Sequence, residues 1–334
     1  MKKKLGVVSS LLMAGALVLG GCGSSNTSTG EKGDKMYTIG VTQIVEHPSL
    51  DAAFEGFKKA LAENGFKEGD NVKFDVQIAQ GDPNNNATIA SNFVSDGVDL
   101  IFANSTPSAQ SALNATKDIP IVFTSVTDPV GAELVEALDK PGVNIRGTTD
   151  SHPEAISKTI DFMVNQVKAK KIGVIFNSGE QNSVVQVDEV KKVAEAAGAS
   201  VVEVSVSTSA EVKQATESLI DRVDSIYVPT DNTVVSALES VIGVANDNKI
   251  PLFVGELDSM KKGAVAASGF SYMDLGYETG LMAVEILKGK KKASEIPVAL
   301  PQSLKLMINK EAAETQGLKV EDSWTEFGEF YTGE

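Results

Sequence analysis

From Met36 onward, short apolar runs alternate with helical stretches, and after Thr149 the alternation begins again. Tyr37–Val45, Val72–Ile78, Val98–Ala103 and Ile119–Phe123 read as strands, with Leu50–Glu63, Asn86–Ser95 and Ser108–Thr116 as the helices between them. In the second half Ala155–Val167, Ser183–Ala197, Glu211–Ile220 and Val234–Ala245 read as helices. Lys171–Phe176, Val201–Val206, Val223–Val228 and Ile250–Val254 read as the strands. Such an order predicts parallel sheets covered on both faces, an α/β fold of two doubly wound lobes. Two strings recur in order. Val98-Asp99-Leu100-Ile101-Phe102-Ala103 matches Val223-Asp224-Ser225-Ile226-Tyr227-Val228, and Ile119-Pro120-Ile121 matches Ile250-Pro251-Leu252. In each half a helical stretch separates the first string from the second, which points to a structural repeat.

Ligands of open parallel sheets bind beyond the carboxyl ends of the strands. That rule selects the loops Thr42–His47, Asn104–Ser108, Thr124–Asp128, Asn177–Ser183, Thr230–Asn232 and Gly255–Asp258. In the first lobe, Ser105 and Thr106 precede Pro107 at a helix start, where free N–H groups and hydroxyls can cradle a carboxylate. The equivalent loop of the second lobe carries Asp231 and Asn232, and Glu256 adds negative charge from the next loop. Neutral donors on one lobe and acids on the other suit a zwitterion, its carboxylate on lobe one and its ammonium on lobe two. Asp231 equally suits the cap of its own helix. Gln43 and Glu46 offer polar contacts, and Val45 an apolar one. His47 and His152 each stand before a proline, which favours capping or packing over catalysis. Phe102, Tyr227 and Phe253 lie inside strands and read as core.

Other chemistries find no support. The sequence has no Gly-x-Ser-x-Gly elbow, P-loop, dinucleotide fingerprint or paired cysteines, so neither an enzyme nor a cofactor is expected. Two histidines exclude a multi-histidine metal site, and the single cysteine excludes an internal disulfide. Only two arginines occur, Arg146 and Arg222, outside those loops, which argues against a guanidinium clamp on phosphate. Acids outnumber bases 45 to 30, a net charge of −15, so nucleic acid is an unsuitable partner. The basic run Lys288–Lys292 reads as a solvated helix end.

Met1-Lys2-Lys3-Lys4 and the apolar stretch that follows form a secretory leader, too short to span a bilayer. It ends in Leu19-Gly20-Gly21-Cys22, which resembles a bacterial lipobox. That resemblance implies cleavage before Cys22, acylation of its thiol and retention at the outer face of a membrane. Gly23–Lys35 lacks apolar residues and reads as a flexible tether with a reach of roughly 45 Å.

Three strings carry a more specific resemblance: Gly40-Val41-Thr42-Gln43-Ile44-Val45-Glu46-His47-Pro48, Phe123-Thr124-Ser125-Val126-Thr127-Asp128-Pro129-Val130-Gly131, and Tyr227-Val228-Pro229-Thr230-Asp231-Asn232-Thr233. With the lipobox and the two lobes they resemble the substrate-binding lipoproteins of bacterial ABC importers, in the tryptophan/tyrosine-type branch. The resemblance implies a type I periplasmic-binding-protein fold with a three-segment hinge near Arg146–Asp150, Gly269–Met273 and Pro297–Gln302. It divides the chain into a leader (1–21), a tether (22–35), lobe one (36–147 plus 273–297) and lobe two (148–272 plus 298–334). It also implies a monomer that hands a free aromatic amino acid to a permease, with tyrosine favoured over tryptophan. Contacts are expected from Gln43, Glu46, Ser105, Thr106, Thr127, Asp128, Asn182, Asp231, Asn232 and Glu256. Val45, Phe123, Phe270 and Tyr272 are candidates for the ring. A surface adhesin or sensor with the same fold is the alternative.

Overall fold

The computed structural model describes residues 35–140 and 142–333. The expected leader, the acylated Cys22 and nearly all of the tether lie outside them. The first half runs β1 (Tyr37–Gln43), α1 (Pro48–Glu63), β2 (Val72–Ile78), α2 (Pro83–Asp96), β3 (Leu100–Asn104), α3 (Thr106–Ala115), β4 (Ile121–Val126) and β5 (Ile145–Thr149). Its helices start where the sequence allows. Pro48, Pro83 and Pro107 fall in their first turns, and Asp82 and Ser105 cap α2 and α3. The strands form one parallel sheet in the order β2-β1-β3-β4-β5. Every residue of β3, β4 and β5 is buried, as expected of strands covered on both faces.

The second half repeats this plan. It runs α4 (Ala155–Asp161), β6 (Lys171–Asn177), α5 (Gln181–Ala196), β7 (Ser200–Val206), α6 (Val212–Glu217), β8 (Ser225–Val228), α7 (Asn232–Ser236), α8 (Leu238–Asn248), β9 (Leu252–Val254), α9 (Leu257–Lys261) and β10 (Ala266–Gly269). Then follow α10 (Tyr272–Leu287), β11 (Lys305–Ile308), α11 (Lys310–Thr315) and β12 (Glu329–Phe330). The second sheet is ordered β12-β11-β10-β9-β8-β6-β7, so β7-β6-β8-β9-β10 copies the order of β2-β1-β3-β4-β5. The repeat extends to single side chains. The Asp99 carboxylate accepts the Thr38 N–H at 2.8 Å, and Asp224, its counterpart, accepts the Lys170 and Lys171 N–H groups.

Helix α10 returns to the first sheet and crosses α1 closely. A Cβ on Gly276 would stand 1.7 Å from the Ala53 carbonyl oxygen, so only glycine fits there. Three segments link the sheets: the stretch after β5, Phe270–Ser271, and the chain between Ile296 and Leu304. Ala299 bridges to Thr148, which sets the third strand of the hinge beside the first.

Several elements differ from expectation. Residues 145–149 form strand β5 of the first sheet, although the sequence marks them as a crossover. The helix expected at Ala155–Val167 turns π-helical over Phe162–Gln166. The helix expected at Val234–Ala245 breaks at Ala237, and the start of α7 is held at Thr233, which accepts from Asn177 Nδ2 and donates to Glu180. The expected loop after β9 becomes α9, capped by Glu256.

Candidate functional site

The carboxyl ends of β1, β3, β4 and β5 face those of β6, β8 and β9, and the lobes touch across the cleft. The Ser49 hydroxyl at the start of α1 donates to Glu256 Oε2 at 2.5 Å. Gln186 Nε2 donates to Thr127 Oγ1 at 3.4 Å and Gln181 Nε2 to Asp128 Oδ2 at 3.5 Å. His47 of lobe one and Asn232 of lobe two both line the space between them. At the hinge the Tyr272 phenol donates to Asp150 Oδ2 at 2.7 Å, and Thr127 donates to Asp150 Oδ1 at 2.9 Å.

These contacts enclose a cavity lined by His47, Leu50, Ser125, Asp150, Asn182, Thr230, Asn232, Val235, Glu256 and Tyr272. Its volume open to the centre of a water molecule is about 10 Å³, room for about one water. Outside it lies a groove of about 860 Å³ between Asn86, Pro107 and Gln110 of one lobe and Asn177–Gln181 of the other.

The charges on this cavity are one-sided. Burial raises the carboxyl pKa of both Asp150 and Glu256. Just behind, Asp231 is pushed up to about 7 by burial and by the neighbouring Glu180. No lysine or arginine lines the cavity. Burial pulls His47 down to about 4, so it is neutral at pH 7 and brings no charge. Acids desolvated without a cation favour a bound cationic group. Asn182 Oδ1, buried without a partner, is a further acceptor there.

The opposite character comes from α1. His47 stands at its N-cap but makes no capping bond, and Pro48 has no N–H. The N–H groups of Ser49 and Leu50 therefore have no helical acceptor, and the positive dipole end of a 16-residue helix meets the cavity at Leu50. Ser125, at φ 57°, is held by a bond from its hydroxyl to Asn104 Oδ1. The arrangement suits a small dipolar molecule, anionic group toward α1 and cationic group toward Asp150 and Glu256.

Of the residues expected from sequence, Asn182, Asn232, Glu256 and Tyr272 line the cavity, Phe270 stacks on Tyr272, and Thr127 braces Asp150. Asp128 sits at the rim and binds the Gly131 N–H. Gln43 is committed within lobe one, bonded to Val45 O, Asp51 and Asn104. Val45 packs on the core and Glu46 is exposed. Three expectations are corrected. Asp231 does not face the cavity, because its two oxygens accept the N–H groups of Val234 and Asn177. Ser105 caps α3 and Thr106 is buried beside it, so the free helix start at the cavity is that of α1. Phe123 is fully buried in the core of lobe one, where a strand-centre aromatic packs best.

Asp150, Ser125, Leu50, Thr230 and Val235 are not among the contacts expected from sequence, and His47, expected to cap or pack, lines the cavity. Glu180, whose buried carboxylate receives Asn232 and Thr233, is likewise absent from those contacts. The Thr230 and Ser125 loops were marked by their places at strand ends. Asp150 carried no such mark, since β5 was read as a linker.

The sequence matches the family described as ABC transporter substrate binding protein over residues 38–326. It is 49% identical over 312 residues, 90% of each chain, to a tyrosine-binding protein of Clostridioides difficile strain R20291. The fold superposes with a TM-score of 0.83 on an ABC domain from Streptococcus pneumoniae in complex with L-Trp, at 35% identity over 89% of this chain and 99% of that one. A ligand-free, open structure of a Clostridium difficile substrate-binding protein with adhesive properties is 46% identical over 90% of this chain and 100% of that one, with a TM-score of 0.64.

Proposed function

Because the chain belongs to the ABC transporter substrate-binding protein family, we propose that it is a lipid-anchored receptor at the outer face of a bacterial membrane. It takes a free aromatic amino acid, tyrosine first and tryptophan next, into the inter-lobe cavity and hands it to an ABC importer. The observation that carries the amino-acid reading is the pairing of two carboxylates, half-buried Asp150 and buried Glu256, with the open start of α1 across one enclosed space. An ammonium neutralises the first end and a carboxylate satisfies the second. The ring finds an aromatic wall in Tyr272, stacked on Phe270 with centroids 5.7 Å apart. The tyrosine-binding relative favours tyrosine, and the polar cavity groups supply partners for a phenol hydroxyl. Binding is reversible and turns nothing over. The anchor reading rests on Leu19-Gly20-Gly21-Cys22 and the basic leader before it.

A thermal-shift screen of the free amino acids tests this. A true ligand at about 100 times its dissociation constant adds roughly 2.7 kcal/mol of stability. Tyrosine or tryptophan should raise the midpoint, while glycine and aspartate leave it unchanged. No response to any aromatic amino acid would reject the assignment. A second reading, an adhesin on the cell surface, has one specific support: the adhesive properties of the C. difficile relative. If adhesion were the sole role, the same screen would give no shift with any amino acid.

A further inference from the structure

The receptor reading leaves the basic run at the end of α10 without a task. Lys288, Lys290, Lys291 and Lys292 are all exposed. Lys290 pairs with Glu285 at 3.4 Å, whereas Lys288, Lys291 and Lys292 form no ion pair among the described residues. The run stands where the folded body begins. The Tyr37 hydroxyl, at the first residue of β1, donates to the Leu287 carbonyl at 3.3 Å. The Tyr37 ring meets Phe66 edge-on at 5.4 Å, and Lys288 Nζ lies 5.9 Å from the same Phe66 ring. Lys67 follows Phe66, and Lys73 pairs in register with Thr38; both are exposed. The acids nearby include Glu63, Glu68, Asp70, Asp99, Glu285 and Glu295; Glu63 accepts the Tyr277 hydroxyl and Asp99 the Thr38 N–H. Of these, Glu285 is bound to Lys290 and Glu295 accepts the Lys292 N–H at 2.8 Å.

We propose that this face docks on an anionic phospholipid surface and so fixes how the body stands on the membrane. The proposal rests on the reading of Cys22 as the lipid anchor. With a net charge of −15 the chain as a whole is repelled by such a surface. A basic run within a Debye length of the lipid is attracted, and it lies beside the point where the tether joins. The tether holds that point within roughly 45 Å of the bilayer, so a weak attraction acts at high effective concentration. One acyl anchor with one basic patch is a known route to stable attachment.

The test uses the acylated full chain in vesicles of neutral phospholipid, with or without anionic phospholipid. Acylation occupies the only cysteine, so Ser294→Cys beside the run and Thr325→Cys in the second lobe take a fluorophore site-specifically. Nitroxide-labelled lipid reads contact by quenching. Position 294 should be quenched more on anionic vesicles than on neutral ones, and the excess should vanish at high salt. Lys290→Glu/Lys291→Glu/Lys292→Glu should lower the contact equilibrium about a hundredfold, at roughly 1 kcal/mol per lysine. Flotation with neutral vesicles should persist in every variant. Equal quenching on both lipids, or no effect of the triple variant, overturns the proposal. So does a triple variant that keeps its lipid contact and loses only binding to the permease, since the patch would then serve a protein. Loss of flotation by the unaltered chain would instead reject the anchor. The patch is then read from sedimentation with anionic vesicles, where an unchanged triple variant overturns it.

Discussion

Half-buried Asp150 and fully buried Asp231 both stand beside the cleft, and their partners separate their roles. Asp150 receives two hydroxyls and faces the cavity, whereas Asp231 is filled by backbone N–H groups. Asp150→Asn should therefore cost about 2–5 kcal/mol of amino-acid affinity, the range for removing one charge of a buried pair. Asp231→Ala should instead lower stability by about 1–3 kcal/mol, through a lost helix cap and an unpaired Asn177 N–H, with affinity nearly kept. Calorimetry and thermal melts of the two variants check this, and the reverse pattern would restore Asp231 as the ammonium partner. Acid supplies a second prediction. In the proposed complex an ammonium binds the ionised carboxylates, and burial raises the pKa of Asp150 and Glu256. Affinity should fall as pH drops, beginning above the ordinary carboxylate range, and Asp150→Asn should flatten the profile. The ligand-free protein responds otherwise. Asp231 holds its proton from about 7 down to the ordinary 3.8 of the unfolded chain, so its effect is to raise stability as pH falls through that window. His47 opposes it, losing stability from 6.5 down to about 4. Half of this site was legible because loops at strand ends can be named from sequence. What was not legible is which way a carboxylate turns: a cap and a ligand contact use the same residue types.

At the scale of elements, the cleft is latched by two helix starts. Ser49 in the first turn of α1 donates to Glu256, whose carboxylate also caps α9 through the N–H groups of Asp258 and Ser259. The α9 caps remain in Ser49→Ala, so the lobes stay folded while closure loses one bond to a charged group. Such a bond is worth about 1.5–3 kcal/mol, so the dissociation constant should rise roughly 10- to 100-fold with an unchanged melting midpoint of the ligand-free chain. Wild-type affinity in that variant, measured by titration calorimetry, would mean that the latch adds nothing. The elements themselves were easiest to read where burial is two-sided: β3, β4, β8 and β9 each carry an unbroken apolar run of three or four residues. Strand β5 was hidden because Ile145-Arg146-Gly147-Thr148-Thr149 is polar by composition. It is nevertheless fully buried, with Thr148 bonded between Thr124 and Thr279. The hold on the start of α7 was hidden too, since the bonds of Thr233 with Asn177 and Glu180 are tertiary.

For the whole molecule, sequence and shape rank the relatives differently. The L-Trp complex is 35% identical and superposes at 0.83, while the open, ligand-free structure is 46% identical and superposes at only 0.64. Divergence in sequence should give the opposite order. A rigid rotation of one lobe against the other explains it, because it lowers the global match without altering either lobe. Each lobe here has core clusters of its own on the two faces of its sheet, so each can move as a body. The lobes of this chain are in contact through Ser49–Glu256, Thr127–Gln186 and Asp128–Gln181. Room for about one water is far below the roughly 300–1,000 Å³ of ordinary ligand pockets, so an aromatic amino acid requires the lobes to part first. In small-angle X-ray scattering the ligand-free chain should therefore be more extended than the chain with saturating tyrosine or tryptophan. Ser49→Ala should need more ligand to reach the compact form, and Asp150→Asn more still. A radius of gyration that is identical with and without ligand, in a sample shown by calorimetry to be saturated, would rule out closure of the lobes on the ligand.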